Sequence, residues 1–125
     1  ILFGGPTDAG LVERIRSGIP GGVLTVITPD LRRFAALLSC CCMLVCNNSG
    51  PLHVACALGI PTLSFMGPTD PCRWYPLGNG HTVLRLDDLP CIGCNDGTCR
   101  RGTHDCMRGI QPERVMDVLA GSVPA

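Results

Sequence analysis

The stretch MLVCNNSGPLHVACALGIPTLSF, residues 43–65, decides the fold. It opens with a continuous apolar run, Met43 to Cys46, of the length of one strand. A polar turn follows, Asn47-Asn48-Ser49-Gly50, and then Pro51, which is tolerated in the first turn of a helix because its missing N–H would be unpaired there. The helix predicted from Pro51 to Leu58 stops at Gly59, with Pro61 just beyond. Thr62 to Phe65 is again strand-like. Strand, helix and strand joined by short turns form the unit from which parallel sheets are built. An unbroken apolar strand also predicts that Met43–Cys46 is covered on both faces.

Working outward, the alternation repeats. Ile1-Leu2-Phe3 reads as a strand and Gly4-Gly5-Pro6 as a turn. A helix capped by Thr7 or Asp8 runs to about Ser17, with Leu11, Val12 and Ile15 on one face. Val23–Ile27 is a second strand. Thr28-Pro29-Asp30 predicts a helix start with Thr28 as cap and Pro29 first in the helix, running to about Cys40 with Leu31, Phe34, Leu37 and Leu38 inward. Thr82–Leu86 is a fifth strand, and Pro112 starts a last helix carrying Val115, Val118 and Leu119. The fold class is therefore α/β, a Rossmann-like, doubly wound parallel sheet with flanking helices. Ligands of such sheets bind at the carboxyl ends of the strands. Here those ends carry Gly4-Gly5-Pro6-Thr7-Asp8, Thr28-Pro29-Asp30, Asn47-Asn48-Ser49-Gly50 and Gly67-Pro68-Thr69-Asp70.

Composition sets bounds. The chain has 125 residues, enough for one core. Aromatics make up only 4%, so that core is aliphatic. Net charge is zero, which supplies no argument for nucleic acid. Ten cysteines in a short chain suggest a disulfide scaffold. However, Cys40, Cys41, Cys42, Cys46 and Cys56 lie in apolar segments, where cysteine acts as a small hydrophobe, and the α/β pattern builds a core without staples. A reducing, cytoplasmic setting is expected. The chain begins inside a strand without Met, which points to a piece of a longer protein.

Three candidate features carry chemistry. Ser49 and Gly50 stand where a helix begins, and the first N–H groups of a helix lack internal partners, so with the helix dipole they suit an anion. Ser49 could equally be a simple cap. His53 lies in the first turn of that helix. Asp8 follows a glycine turn and could take ribose hydroxyls or cap a helix. The third feature is Cys91-x2-Cys94-x4-Cys99-x6-Cys106, with His104 inside it. A structural zinc knuckle, disulfides formed in air and the packing of a surface loop all fit that spacing. No P-loop, GxGxxG or Ser-His-Asp arrangement is present.

The run Asn48-Ser49-Gly50-Pro51-Leu52-His53-Val54-Ala55-Cys56-Ala57-Leu58-Gly59 resembles the "(D)SGxxHxAxAlg" motif of family 9 glycosyltransferases, the ADP-heptose:lipopolysaccharide heptosyltransferases. Gly67-Pro68-Thr69-Asp70-Pro71 is similar to their "GPTdP" loop, and Leu2-Phe3-Gly4-Gly5-Pro6 also fits. The tail from Cys91 through Cys106 to Val115 is similar to that of the heptosyltransferase II type. The resemblance implies a GT-B enzyme. Residues 1–125 would be most of its donor-binding domain, with 91–106 a cysteine-bearing segment inside it. The domain's first strand and helix would be missing. So would the N-terminal domain, which holds the acceptor site and the catalytic base, so the chain alone would catalyse nothing.

The full enzyme would transfer heptose from ADP-heptose to a lipid-linked core oligosaccharide. It would do so with inversion, without a required metal, and at the cytoplasmic face of the inner membrane as a peripheral protein. By position, Ser49 and Gly50 would hold the diphosphate, His53 would lie beside the sugar or phosphate, and Asp8 would take the adenosine ribose. Asn48 stands where the family has aspartate. It keeps an acceptor oxygen and loses the charge. Two other functions stay open: a GT-B donor domain for a different nucleotide-sugar, and a non-catalytic zinc or redox module built on Cys91, Cys94, Cys99 and Cys106.

Overall fold

The computed structural model describes residues 1–28 and 30–122. The expected first helical position, Pro29, lies outside them. Internal contacts divide the chain into two compact units, 1–38 and 39–125.

In the first unit, β1 (Leu2–Gly4) pairs in parallel with β2 (Thr25–Ile27), Leu2 opposite Thr25 and Gly4 opposite Ile27. A 3-10 turn over Pro6–Asp8 leads into α1 (Ala9–Ser17), and α2 (Leu31–Leu38) closes the unit. β2 is shorter than the predicted Val23–Ile27 because its partner begins only at Leu2, and Gly21 and Gly22 still turn the chain at φ 81° and 76°. Val12, Phe34 and Leu38 are buried, and Phe3 meets Phe34 edge-on at 5.1 Å between ring centres. Leu11, Ile15 and Leu31, expected inward, are exposed. Gly4 is fixed by close approach, since a Cβ there would sit 2.8 Å from Val12 Cγ2.

The expected cap of α2 is corrected. Asp30, not Thr28, caps it: Asp30 Oδ1 accepts from the N–H groups of Arg32 (2.9 Å) and Arg33 (3.3 Å). Thr28 Oγ1 instead accepts from Asp30 N–H at 3.1 Å. The helix begins at Leu31, so Asp30 is the residue directly before it, and its carboxylate offers the charge that the helix start favours.

The second unit holds three parallel strands in the order β3 (Leu44–Asn47), β4 (Thr62–Phe65), β5 (His81–Leu84). Between β3 and β4 lies α3 (Gly50–Ala57); α4 (Pro71–Trp74) follows β4, and α5 (Asp105–Arg108) and α6 (Pro112–Ser122) end the chain. The strand–helix–strand reading of residues 43–65 thus holds, but full coverage belongs to β4. There Thr62, Leu63 and Ser64 are buried, whereas β3 alternates and leaves Val45 44% exposed. β4 has a strand on each side, and β3 is an edge of this ladder. Leu52 and Ala55 of α3 and Met66 after β4 are fully buried. A buried leucine of this kind contributes about 1.5–3 kcal/mol. The cysteine-as-hydrophobe reading holds only in part, since Cys40 and Cys42 are exposed while Cys41, Cys46 and Cys56 are half-buried. Among the described residues no helix is long and apolar enough to cross a membrane.

Candidate donor site at the mouth of α3

The ladder ends at Asn47, and the next N–H, that of Asn48, still donates to the Phe65 carbonyl at 3.1 Å. The turn therefore starts on a rigid base. Ser49 is extended (φ −157°, ψ −178°) and leads straight into α3. Its carbonyl accepts from Leu52 N–H at 3.0 Å. Its hydroxyl makes no cap bond and instead donates to the Asn47 carbonyl at 3.4 Å. The capping alternative for Ser49 is thus not the geometry found. Gly50 N–H has no protein acceptor among the described residues. A Cβ on Gly50 would meet nothing within 4 Å, and its backbone is not in the left-handed region. No internal contact or turn therefore requires a glycine here. The helix mouth is open at this point.

The Asn48 side chain donates from Nδ2 to the carbonyl of Trp74 at 2.8 Å. This joins the turn to α4, which sequence reasoning missed. A four-residue helix has too little periodicity to read, but its start was legible. Asp70-Pro71 is an acidic cap followed by a first-turn proline, and Asp70 Oδ1 accepts from Cys72 N–H at 2.9 Å. His53, half-buried, lies 6.0 Å from the Trp74 ring at a 53° tilt. With Arg73, Tyr75 and Leu77 these side chains line an open pocket of about 270 Å³. Asn48, Ser49, Gly50 and His53 thus stand in one region with α4, whose Trp74, like Tyr75 just after it, sequence reasoning missed.

Asp8 lies in the other unit. Its Oδ2 accepts from Gly5 N–H at 2.9 Å, and its own N–H donates to the Gly5 carbonyl at 2.9 Å. The carboxylate thus ties the turn after β1 and makes no cap bond to α1.

Cys91, Cys94, Cys99 and Cys106 all line one cavity of about 260 Å³, together with His104. All ten cysteines lack disulfide bonds. Among the described residues no group of three or more His, Cys, Asp or Glu side chains is drawn together as a metal site. Backbone N–H groups, His104's first and then those of Arg101, Gly102 and Thr103, pull the Cys99 thiol below its ordinary range. Burial, and then the neighbouring Cys91, Cys99 and Cys94, push Cys106 up.

With this geometry in place, comparison with known proteins identifies the chain. The glycosyltransferase family 9 (heptosyltransferase) model matches residues 1–104. Lipooligosaccharide heptosyltransferase 2 of Haemophilus ducreyi is 31% identical over 125 residues, covering 94% of this chain and 36% of that protein. Lipopolysaccharide heptosyltransferase 2 of Escherichia coli K12 is 34% identical over 90 residues, covering 72% of this chain and 26% of that protein. A crystal structure of the glycosyl transferase family 9 protein from Veillonella parvula superimposes with a TM-score of 0.81 at 25% identity, covering 95% of this chain and 34% of that one. The chain belongs to glycosyltransferase family 9, with that family's Rossmann-like α/β architecture. It spans between a quarter and about a third of the length of the relatives it matches.

Proposed function

We propose that this chain is the nucleotide-sugar donor-binding part of a heptosyltransferase that moves heptose from ADP-heptose to the inner core of lipopolysaccharide. The observation that carries the reading is the mouth of α3, where an unpaired Gly50 N–H, a weakly held Ser49 hydroxyl and open space adjoin one another. These suit a diphosphate: two donors, the positive end of a helix, and no side chain in the way. His53 would stand beside the sugar or its phosphate.

In the transfer, an acceptor hydroxyl oxygen bonds to the anomeric carbon from the face opposite the diphosphate. The bond to the diphosphate breaks, and the configuration inverts. The proton passes to a base contributed from outside these 125 residues. Ser49 and Gly50 hold the negative charge that grows on the leaving diphosphate, which is where fixed donors act most strongly on a barrier. The step uses no metal. The acceptor is a lipid-linked core oligosaccharide bound by another domain. The whole enzyme works at the cytoplasmic face of the inner membrane, associated peripherally.

Calorimetric titration of the protein with ADP-heptose, ADP and a uridine diphosphate sugar tests this. Binding of both adenine compounds and neglect of the uridine sugar is expected. Preference for the uridine sugar would assign a different donor.

A further inference from the structure

We propose that Cys91, Cys94, Cys99 and Cys106 bind one soft divalent cation of the zinc class, in a tetrathiolate knot that braces the loop after β4. Metal binding here does not depend on the donor reading; only the consequence for the donor site does.

Four thiols, three from two separate turns and Cys106 from α5, line one cavity. Both turns are bent by left-handed residues: Gly93 and Asn95 flank Cys94 at φ 71° and 56°, and Gly102 and His104 follow Cys99 at φ 69° and 55°. Asn95 and His104 are the only non-glycine residues with positive φ among those described, and both serve this segment. The ion pair of Arg100 with Asp96, Nε to Oδ2 at 2.9 Å, closes the loop on which Cys99 stands. Soft thiolate ligands in a CxxC pair plus two further cysteines select zinc over hard cations. With Zn–S bonds of ~2.3 Å the sulfurs would stand about 3.8 Å apart. The cation would supply this last convergence. Each thiol gives its proton to solvent as its S–Zn bond forms, and nothing is oxidised or reduced.

The knot reaches the candidate site through contacts already described in part. Gly93 N–H donates to the Gly67 carbonyl at 3.1 Å, and Asn95 N–H to the Pro68 carbonyl at 2.6 Å. Gly67 lies so close to α5 that a Cβ on it would be 3.0 Å from Cys106 Sγ. The loop then runs to Asp70, α4 and the Trp74 carbonyl held by Asn48.

The test uses protein purified with reductant and without chelator. One zinc per chain is expected by elemental mass spectrometry. Cobalt added to the metal-free protein should give the sulfur-to-cobalt charge-transfer band and the intense visible bands of tetrahedral thiolate coordination. Cys99→Ser and Cys106→Ser should lose the metal; Cys42→Ser, at an exposed cysteine, should keep it. If the serine variants do not fold, the cobalt spectrum of the unaltered protein decides. Metal-free protein with four alkylatable thiols and no cobalt spectrum overturns the site, as does a Cys91–Cys94 disulfide persisting under reductant. Metal removal should shift the emission of Trp74, the single tryptophan, while the far-ultraviolet dichroism of the sheet remains. Unchanged emission overturns the brace.

Discussion

Asn48 and Trp74 are 26 residues apart in sequence and joined by one hydrogen bond, from the Asn48 amide to the Trp74 carbonyl at 2.8 Å. Only a donor can meet a carbonyl, so an asparagine amide suits this position and a carboxylate does not. Asn48→Asp should put a carboxylate against that carbonyl, release α4 and raise the mobility of Trp74. The bond is partly exposed, so its loss should cost about 1 kcal/mol. Trp74 fluorescence anisotropy with a urea midpoint measures both. An aspartate variant with unchanged anisotropy would show that this bond does not hold α4 in place.

That bond also marks where sequence reading ended. The unit from Leu44 to Phe65 was legible because an apolar run, a proline at a helix start and a glycine stop agree locally. Which strand is covered on both faces was not, because β4 (Thr-Leu-Ser-Phe) reads as the more polar of the two and only pairing order makes it the central one. Thr28 was read as the cap of α2, but the helix begins only at Leu31, so Asp30, the residue just before it, takes that role. The turn residues Asn48, Ser49, Gly50 and His53 were found by position. Their neighbours Trp74 and Tyr75 were not, since α4 is held by one cap and by contacts distant in sequence. Likewise, the cysteine spacing showed four related thiols. It did not show that Gly67 and Pro68 anchor their turn.

Gly67 should tolerate no side chain. An added Cβ would lie 2.7 Å from Met107 Sδ and 3.0 Å from Cys106 Sγ. Overpacking of this kind costs about 1–3 kcal/mol. Gly67→Ala should therefore lower the urea midpoint and expose Cys106 to alkylation. A midpoint equal to that of the unaltered protein would mean that α5 shifts freely and braces nothing.

Cys46, in β3, has its thiol pushed up to about 11, first by burial and then by Cys56. The thiolate is the reactive form. Two units leave roughly a hundredfold less of it below pH 9 than an unburied thiol has. Iodoacetamide at pH 8 should label exposed Cys42 fast and Cys46 slowly, as read by peptide mass spectrometry. The sign for stability follows. Between about pH 9 and 11 the unfolded chain loses the Cys46 proton while the folded chain keeps it, so stability falls as pH rises through that window. Labelling of both cysteines at one rate would show that β3 opens readily.

The sharpest test of the α3 mouth is steric. Gly50 lies at the first position of the helix with a backbone that any residue can adopt, and nothing within 4 Å of an added Cβ. Valine should therefore be accepted by the fold without a loss in helix propensity, since valine ranks above glycine there. The same branched side chain would occupy the space through which a diphosphate approaches the Gly50 N–H. Gly50→Val should thus leave the urea midpoint nearly unchanged and weaken ADP binding at least tenfold. Ser49→Ala removes one hydroxyl and keeps every backbone donor. Its effect should be smaller, bounded by the roughly 1.5–3 kcal/mol of a hydrogen bond to a charged group. Calorimetry of ADP against both variants measures the order. If Gly50→Val binds ADP as the unaltered protein does, the mouth of α3 does not hold the diphosphate, and the nucleotide must be sought elsewhere on the chain.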